Sequence, residues 1–165
     1  MNLLEITQNE RVIIDANILV YATTGKSVQS MDFLERCVNK EVTGILTTHI
    51  ISEVIHVLMI HEAREIGALK GSNPAKKLSG NIQLVKSLSR YKISIRDLMS
   101  IGLQLEPLQR EDIISAMSLQ GEYGLLTNDA LFLAIAERLG VRSIVSADSI
   151  FKNIKGFNIY CPDDL

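Results

Sequence analysis

Apolar runs with no polar face set the strongest constraint on this chain. In Val12-Ile13-Ile14 and again in Ile144-Val145 the consecutive side chains are all apolar, although neighbours along a strand point to opposite faces. Strands of that kind must be covered on both sides, as they are in a parallel sheet between layers of helix. Five segments read as strands, most of them with such unbroken apolar pairs or triples: 11–15, 43–47, 103–107, 143–147 and 157–161. Between them apolar residues return at helical spacing. Val28, Met31, Leu34 and Val38 form one stripe, Ile50, Val54, Val57 and Leu58 a second, and Leu131, Ile135 and Leu139 a third that Gly140 stops. The expected fold is therefore α/β, an α/β/α sandwich around a mainly parallel sheet of about five strands.

One stretch breaks the alternation. Residues 66–98 carry helix signal alone, with Asn73 expected as an N-cap, Pro74 at the first helical position, and Leu78, Ile82, Val85 and Leu88 as the buried stripe. It reads as a helical excursion within a single domain spanning 1–165. A chain of 165 residues buries about 70% of the surface its unfolded form exposes, so it needs neither disulfides nor structural zinc. Cys37 and Cys161 lack a Cys-x-x-Cys spacing and read as reduced residues of a cytoplasmic protein. The longest apolar run, 130–136, has 7 residues, against roughly 20 for a bilayer span. No basic segment leads into an apolar run at the amino terminus, so no membrane association and no secretion signal are expected.

Charge is unevenly distributed. The net −2 conceals 8 basic and 3 acidic residues between His61 and Ser100, a local +5 that leaves −7 elsewhere. A basic segment within an acidic protein suits a nuclease, with carboxylates for cations and a separate patch for phosphates. A solvated helix face gives the same count. Lys76, Lys77, Lys86 and Arg90 are the candidate RNA-binding residues of this segment.

Ligands of parallel α/β sheets gather beyond the carboxyl ends of the strands, so polar residues that directly follow apolar runs are the candidates for chemistry. Asp15 follows Val12-Ile13-Ile14, and Asp148 follows Ile144-Val145 with Ser146 between. Asp129 stands at the start of a helix, after Thr127-Asn128, where N–H groups and the helix dipole favour a carboxylate. Glu53 lies among Ile50, Ile51, Val54, Ile55 and Val57, where a buried charge needs a cationic neighbour. Singly, each acid has another explanation, as a cap or a solvated side chain. Together, Asp15, Glu53, Asp129 and Asp148 would repel one another in one cleft unless a divalent cation neutralised them, and oxygen-only ligands suit Mg²⁺ or Mn²⁺. Asn17, Thr127 and Ser146 are candidates to orient these carboxylates by hydrogen bonding.

The segment from Ile14-Asp15-Ala16-Asn17 to Ala22 resembles the amino-terminal signature of PIN domains. Ser52-Glu53-Val54, the helix holding Thr127-Asn128-Asp129-Ala130-Leu131, and Ile144-Val145-Ser146-Ala147-Asp148 with Gly156-Phe157 and Pro162 are similar to the family's later motifs, in order. The resemblance implies a Mg²⁺- or Mn²⁺-dependent endoribonuclease, VapC-toxin-like, usually a homodimer and inhibited by an antitoxin. Many members carry a further acid shortly after the position of Asp148, whereas Ser149-Ile150-Phe151 follow here. The number of metal ions thus stays open. So do a stand-alone RNA-processing nuclease and a non-catalytic binding module. Two competing constellations are weaker. His49, Glu53 and His56 share a helical face without a His-Glu-x-x-His motif, and Asn17 occupies the place of the second aspartate in an Asp-x-Asp phosphatase motif.

Overall fold

The computed structural model describes residues 1–165. Both runs that are apolar on two faces become central strands. β1 (Arg11–Ile14) pairs with β4 (Ser143–Val145), β2 (Thr43–Thr47) and β3 (Gln104–Glu106) extend the sheet on one side, and β5 (Asn158–Tyr160) closes the other. The order is β3-β2-β1-β4-β5 with every pair parallel. Val12, Ile13, Ile14, Ile144 and Val145 are wholly buried, as a covered sheet demands. Gly44 in β2 has a packing reason, because a Cβ there would lie 2.7 Å from Leu103 Cδ2 and 2.9 Å from Ile14 Cδ1.

Helices fill the three long connections. α1 (Ala16–Thr23) and α2 (Val28–Val38) join β1 to β2. α3 (Thr48–Glu65), α4 (Pro74–Ser79), α5 (Ile82–Ser87) and α6 (Arg90–Ser100) join β2 to β3. α7 (Arg110–Tyr123) and α8 (Thr127–Arg138) join β3 to β4. The chain winds outward from β1 through β2 to β3, then crosses back to the far side of β1. That reversal opens a crevice at the carboxyl ends of β1 and β4, the place where α/β sheets bind ligands.

Two expectations fail in the helices. The stripe Val28, Met31, Leu34 and Val38 does not face the core: Val28, Met31 and Val38 are exposed, and α2 instead buries Ser30, Phe33 and Cys37. A serine at the core position hid the true face from a reading by hydropathy. In the excursion the single expected helix is three, α4, α5 and α6. Asn73 adopts φ 54° and makes no side-chain cap, while Asn81 caps α5 through Leu84 N–H at 3.0 Å. The break turns Ile82 outward to 67% exposure, and Leu78 and Leu88 form a small separate core with Ala63 and Leu69.

Glu62 fastens this excursion to α3. Its buried carboxylate accepts the N–H groups of Ser89, Arg90 and Tyr91 at 2.9, 3.1 and 2.9 Å, satisfying the start of α6, which has no side-chain cap of its own. Burial pushes the Glu62 carboxyl up, but these bonds and the Arg90 charge outweigh it and hold it below the usual range. A second polar anchor lies under the other helical layer. Arg138 at the end of α8 grips Asp112 of α7 through Nε at 2.7 Å and Nη2 at 3.1 Å, and Glu106 of β3 through Nη1 at 2.7 Å.

Candidate active site

Asp15, Glu53, Asp129 and Asp148 all line one cleft of about 500 Å³ at the β1/β4 crevice, with Asn17, Thr127, Asn128, Ile50, Leu126 and Phe132. Each acid is placed by a different element. Asp15 ends β1 and caps α1 through Ala16 N–H at 2.7 Å. The register Ile14↔Val145 sets it beside Ser146, whose hydroxyl donates to Asp15 Oδ2 at 2.6 Å and accepts Asp148 N–H at 2.9 Å. Asn17 bridges the same two strand ends: its amide donates to Asp15 Oδ2 at 2.6 Å and its carbonyl accepts Ala147 N–H at 3.0 Å. Asp148 caps a short 3-10 turn through Ile150 N–H at 2.9 Å. Glu53 comes from α3 and Asp129 from the first turn of α8.

Burial first, and neighbouring like charges after it, disfavour ionisation in the cleft. Burial pushes the Asp15 carboxyl up to about 6 against the pull of the Ser146 and Ala16 hydrogen bonds, with the charges of Glu53 and Asp129 adding to the rise. Asp129 is also raised, by burial first and then by the charges of Asp148 and Glu53. A set of oxygen donors that resist ionising together fits a hard divalent cation. No three of these side chains close into a ready-made ligand cluster.

Other candidates are placed differently. Thr127 reaches only Gln120, at 3.5 Å, and orients no carboxylate. The set His49, Glu53 and His56 forms no metal cluster; His49 Nδ1 meets Thr47 Oγ1 at 3.1 Å. Lys76 and Lys77 lie on α4, Lys86 on α5 and Arg90 on α6, so they do not share one helix as expected. Arg90 is paired with Glu65, and Lys77 donates to the Lys70 carbonyl at 2.7 Å, while Lys76 and Lys86 stand exposed. Asn128 was missed by sequence reasoning, although it sits in the polar Thr-Asn-Asp run that opens α8. Its side chain donates to Glu53 Oε2 at 2.9 Å.

The PIN domain family matches residues 12–156. The chain is a PIN-domain protein. Ribonuclease VapC2 of Methanocaldococcus jannaschii is 28% identical over 149 residues, covering 89% of this chain and 91% of that protein. The fold is shared with VapBC2 from Rickettsia felis, solved bound to a DNA fragment from its promoter, at a TM-score of 0.58 and 15% identity over 93% of this chain and 99% of that one. It is shared as well with VapC20 of Mycobacterium tuberculosis, a Sarcin-Ricin loop cleaving toxin, at 0.58 and 12% identity over 86% and 92%. The PIN match contains all four cleft acids, and it also spans the excursion. No helix is long and apolar enough to cross a membrane.

Proposed function

We propose that this PIN-domain protein is a divalent-metal-dependent endoribonuclease, the toxin of a toxin–antitoxin pair acting in the cytoplasm. The observation that carries the reading is the convergence of four carboxylates from four elements on the strand-reversal crevice, with Asp15 raised to about 6. The name of the archaeal relative and the toxins among the structural neighbours support it. Mg²⁺ or Mn²⁺, when bound, supplies Lewis acidity toward a phosphodiester oxygen and lowers the pKa of water. Asp15, Glu53, Asp129 and Asp148 are the residues that would hold it. Asn17 and Ser146 fix Asp15 Oδ2 by two hydrogen bonds of 2.6 Å, which keeps that carboxylate aimed into the cleft. Exposed Lys76 and Lys86 give the excursion free cations for phosphates, as Arg90 with its Glu65 partner does not.

Hydrolysis of single-stranded RNA should require added Mg²⁺ or Mn²⁺ and stop with a chelator. Asp148→Asn should lower kcat by at least about a hundredfold with little change in KM. Lys76→Glu with Lys86→Glu should raise KM, leave kcat, and make the salt dependence of binding shallower by about one to two units. Full turnover by Asp148→Asn overturns the reading.

Two apolar faces support the partners. α2 exposes Val28, Met31 and Val38 beside a groove of about 290 Å³ lined by Leu34, Leu98 and Ile101, with Glu35 and Asp97 at its edge. That chemistry suits an antitoxin segment with apolar and basic residues. α7 exposes Ile113, Ile114 and Met117, and no charge lies between Ile113 and Gly121. An exposed apolar stretch of this kind can meet its own copy, and we place the contact of the proposed homodimer there. Light scattering should give the mass of two copies, reduced to one by Met117→Asp; an unchanged mass in that variant removes α7 from the interface.

A further inference from the structure

Asn128 occupies the second position of α8, whose first turn has no side-chain cap. An asparagine at a helix start ordinarily bonds the N–H groups of its own helix. Here the amide leaves α8, and Nδ2 donates across the cleft to Glu53 Oε2 at 2.9 Å. The bond joins the side chains of α3 and α8, the helices that carry Glu53 and Asp129.

Glu53 depends on that bond more than Asp15 and Asp148 depend on any one of theirs. Asp15 is held by Ala16, Asn17 and Ser146, and Asp148 by Ile150. Glu53 has a longer side chain with more torsions to fix, and its carboxylate meets no donor except Asn128. His49, four residues earlier on α3, does not compete. Its Nδ1 meets Thr47 Oγ1 at 3.1 Å, and its ring makes no hydrogen bond to Glu53. A neutral amide is also the right kind of clamp. It fixes one carboxylate oxygen without adding the positive charge that would displace a cation, and Oε1 stays free.

We propose that Asn128 is a positioning residue that holds the Glu53 carboxylate in place for a divalent cation. The proposal rests on the metal-dependent reading given above. Because Asn128 is exposed, water can replace its bond in the metal-free protein, so the bond should add little to global stability. Its effect belongs to metal affinity, where groups that orient a ligand are worth about tenfold or more.

Calorimetric titration with Mn²⁺ alone, paired with melting of the metal-free protein, tests this on wild type, Asn128→Ala, Glu53→Gln and the double variant. Asn128→Ala should weaken Mn²⁺ binding about tenfold and leave the metal-free Tm in place. On the Glu53→Gln background the same change should cost nothing further, since the group it orients is gone. Asn128→Leu, which keeps the approximate shape and removes the donor, should behave like Asn128→Ala and stands in for it should that variant fold poorly. Wild-type affinity in the Asn128 variants, or an equal loss on both backgrounds, overturns the positioning role while the metal-dependent reading survives. Mn²⁺ binding unaffected by Glu53→Gln also overturns it. If wild type itself takes up no Mn²⁺, the metal-dependent reading fails and the role of Asn128 falls with it.

Discussion

Asp129→Asn should raise the melting temperature of the metal-free protein by about 2–4 °C while cutting RNA hydrolysis by at least about a hundredfold. Burial and the charges of Asp148 and Glu53 raise the Asp129 carboxyl, so an amide there relieves repulsion and gives up only the favourable field of the α8 amino terminus. Relief of this kind in a half-exposed cleft is small, and a small gain corresponds to a few degrees for a chain of this size. The sign with pH follows from the raised carboxyls. Asp15 and Asp129 have folded-state pKa values above their unfolded ones. Their favourable contribution is therefore complete below the ordinary carboxylate range and is lost as pH rises through about 6, the value for Asp15. Metal-free stability in Asp129→Asn should fall less steeply than in wild type between about pH 4 and pH 7. Added Mn²⁺ should reverse the order of the two proteins at pH 7, because the cation stabilises only the form that binds it. A variant less stable than wild type at pH 7 without metal would mean that the cleft is not electrostatically strained.

The same acids explain why so much of the site was legible in the sequence. Asp15 directly follows an apolar triplet and Asp148 stands shortly after an apolar pair, and in a parallel sheet such positions put a side chain at the ligand-binding edge. The central strands were equally plain, because Val12-Ile13-Ile14 can be covered only in one way. Helix faces were less so. α2 buries Ser30, whose polarity argued for solvent, and exposes Val28, Met31 and Val38, whose hydropathy argued for the core. An exposed apolar face looks, in one dimension, like a face turned to the interior. The excursion misled for a local reason, since the Gly80-Asn81 step restarts the helix and swings Ile82 outward. Contacts between distant residues were invisible altogether. Glu53 and Asn128 are separated by 75 positions, Glu62 and Tyr91 by 29, and Arg138 and Asp112 by 26, and no periodicity links the members of any pair.

Arg138 is the most consequential of these hidden contacts for stability, and Arg138→Met should destabilise the protein by about 3–5 kcal/mol. Asp112, only 1% exposed, receives two of its guanidinium bonds and keeps just the Gln109 N–H at 2.8 Å once they are gone. Glu106 loses its bond of 2.7 Å at the same time, which frees the edge strand β3 from α8. The loss is large because two carboxylates are left without their cation, one of them fully buried, and not because the ion pair itself is strongly stabilising. The two effects separate in a double variant. Arg138→Met with Asp112→Leu should recover more than half of the lost stability, since it removes the orphaned charge along with its partner. Arg138→Lys should fall between wild type and Arg138→Met, because an ammonium keeps the charge but cannot make the forked contact to Asp112. Urea unfolding of the four proteins measures all of this on one scale. A cost below about 1 kcal/mol for Arg138→Met would place the pair among surface ion pairs, and a double variant no better than the single would show that Asp112 tolerates its charge alone.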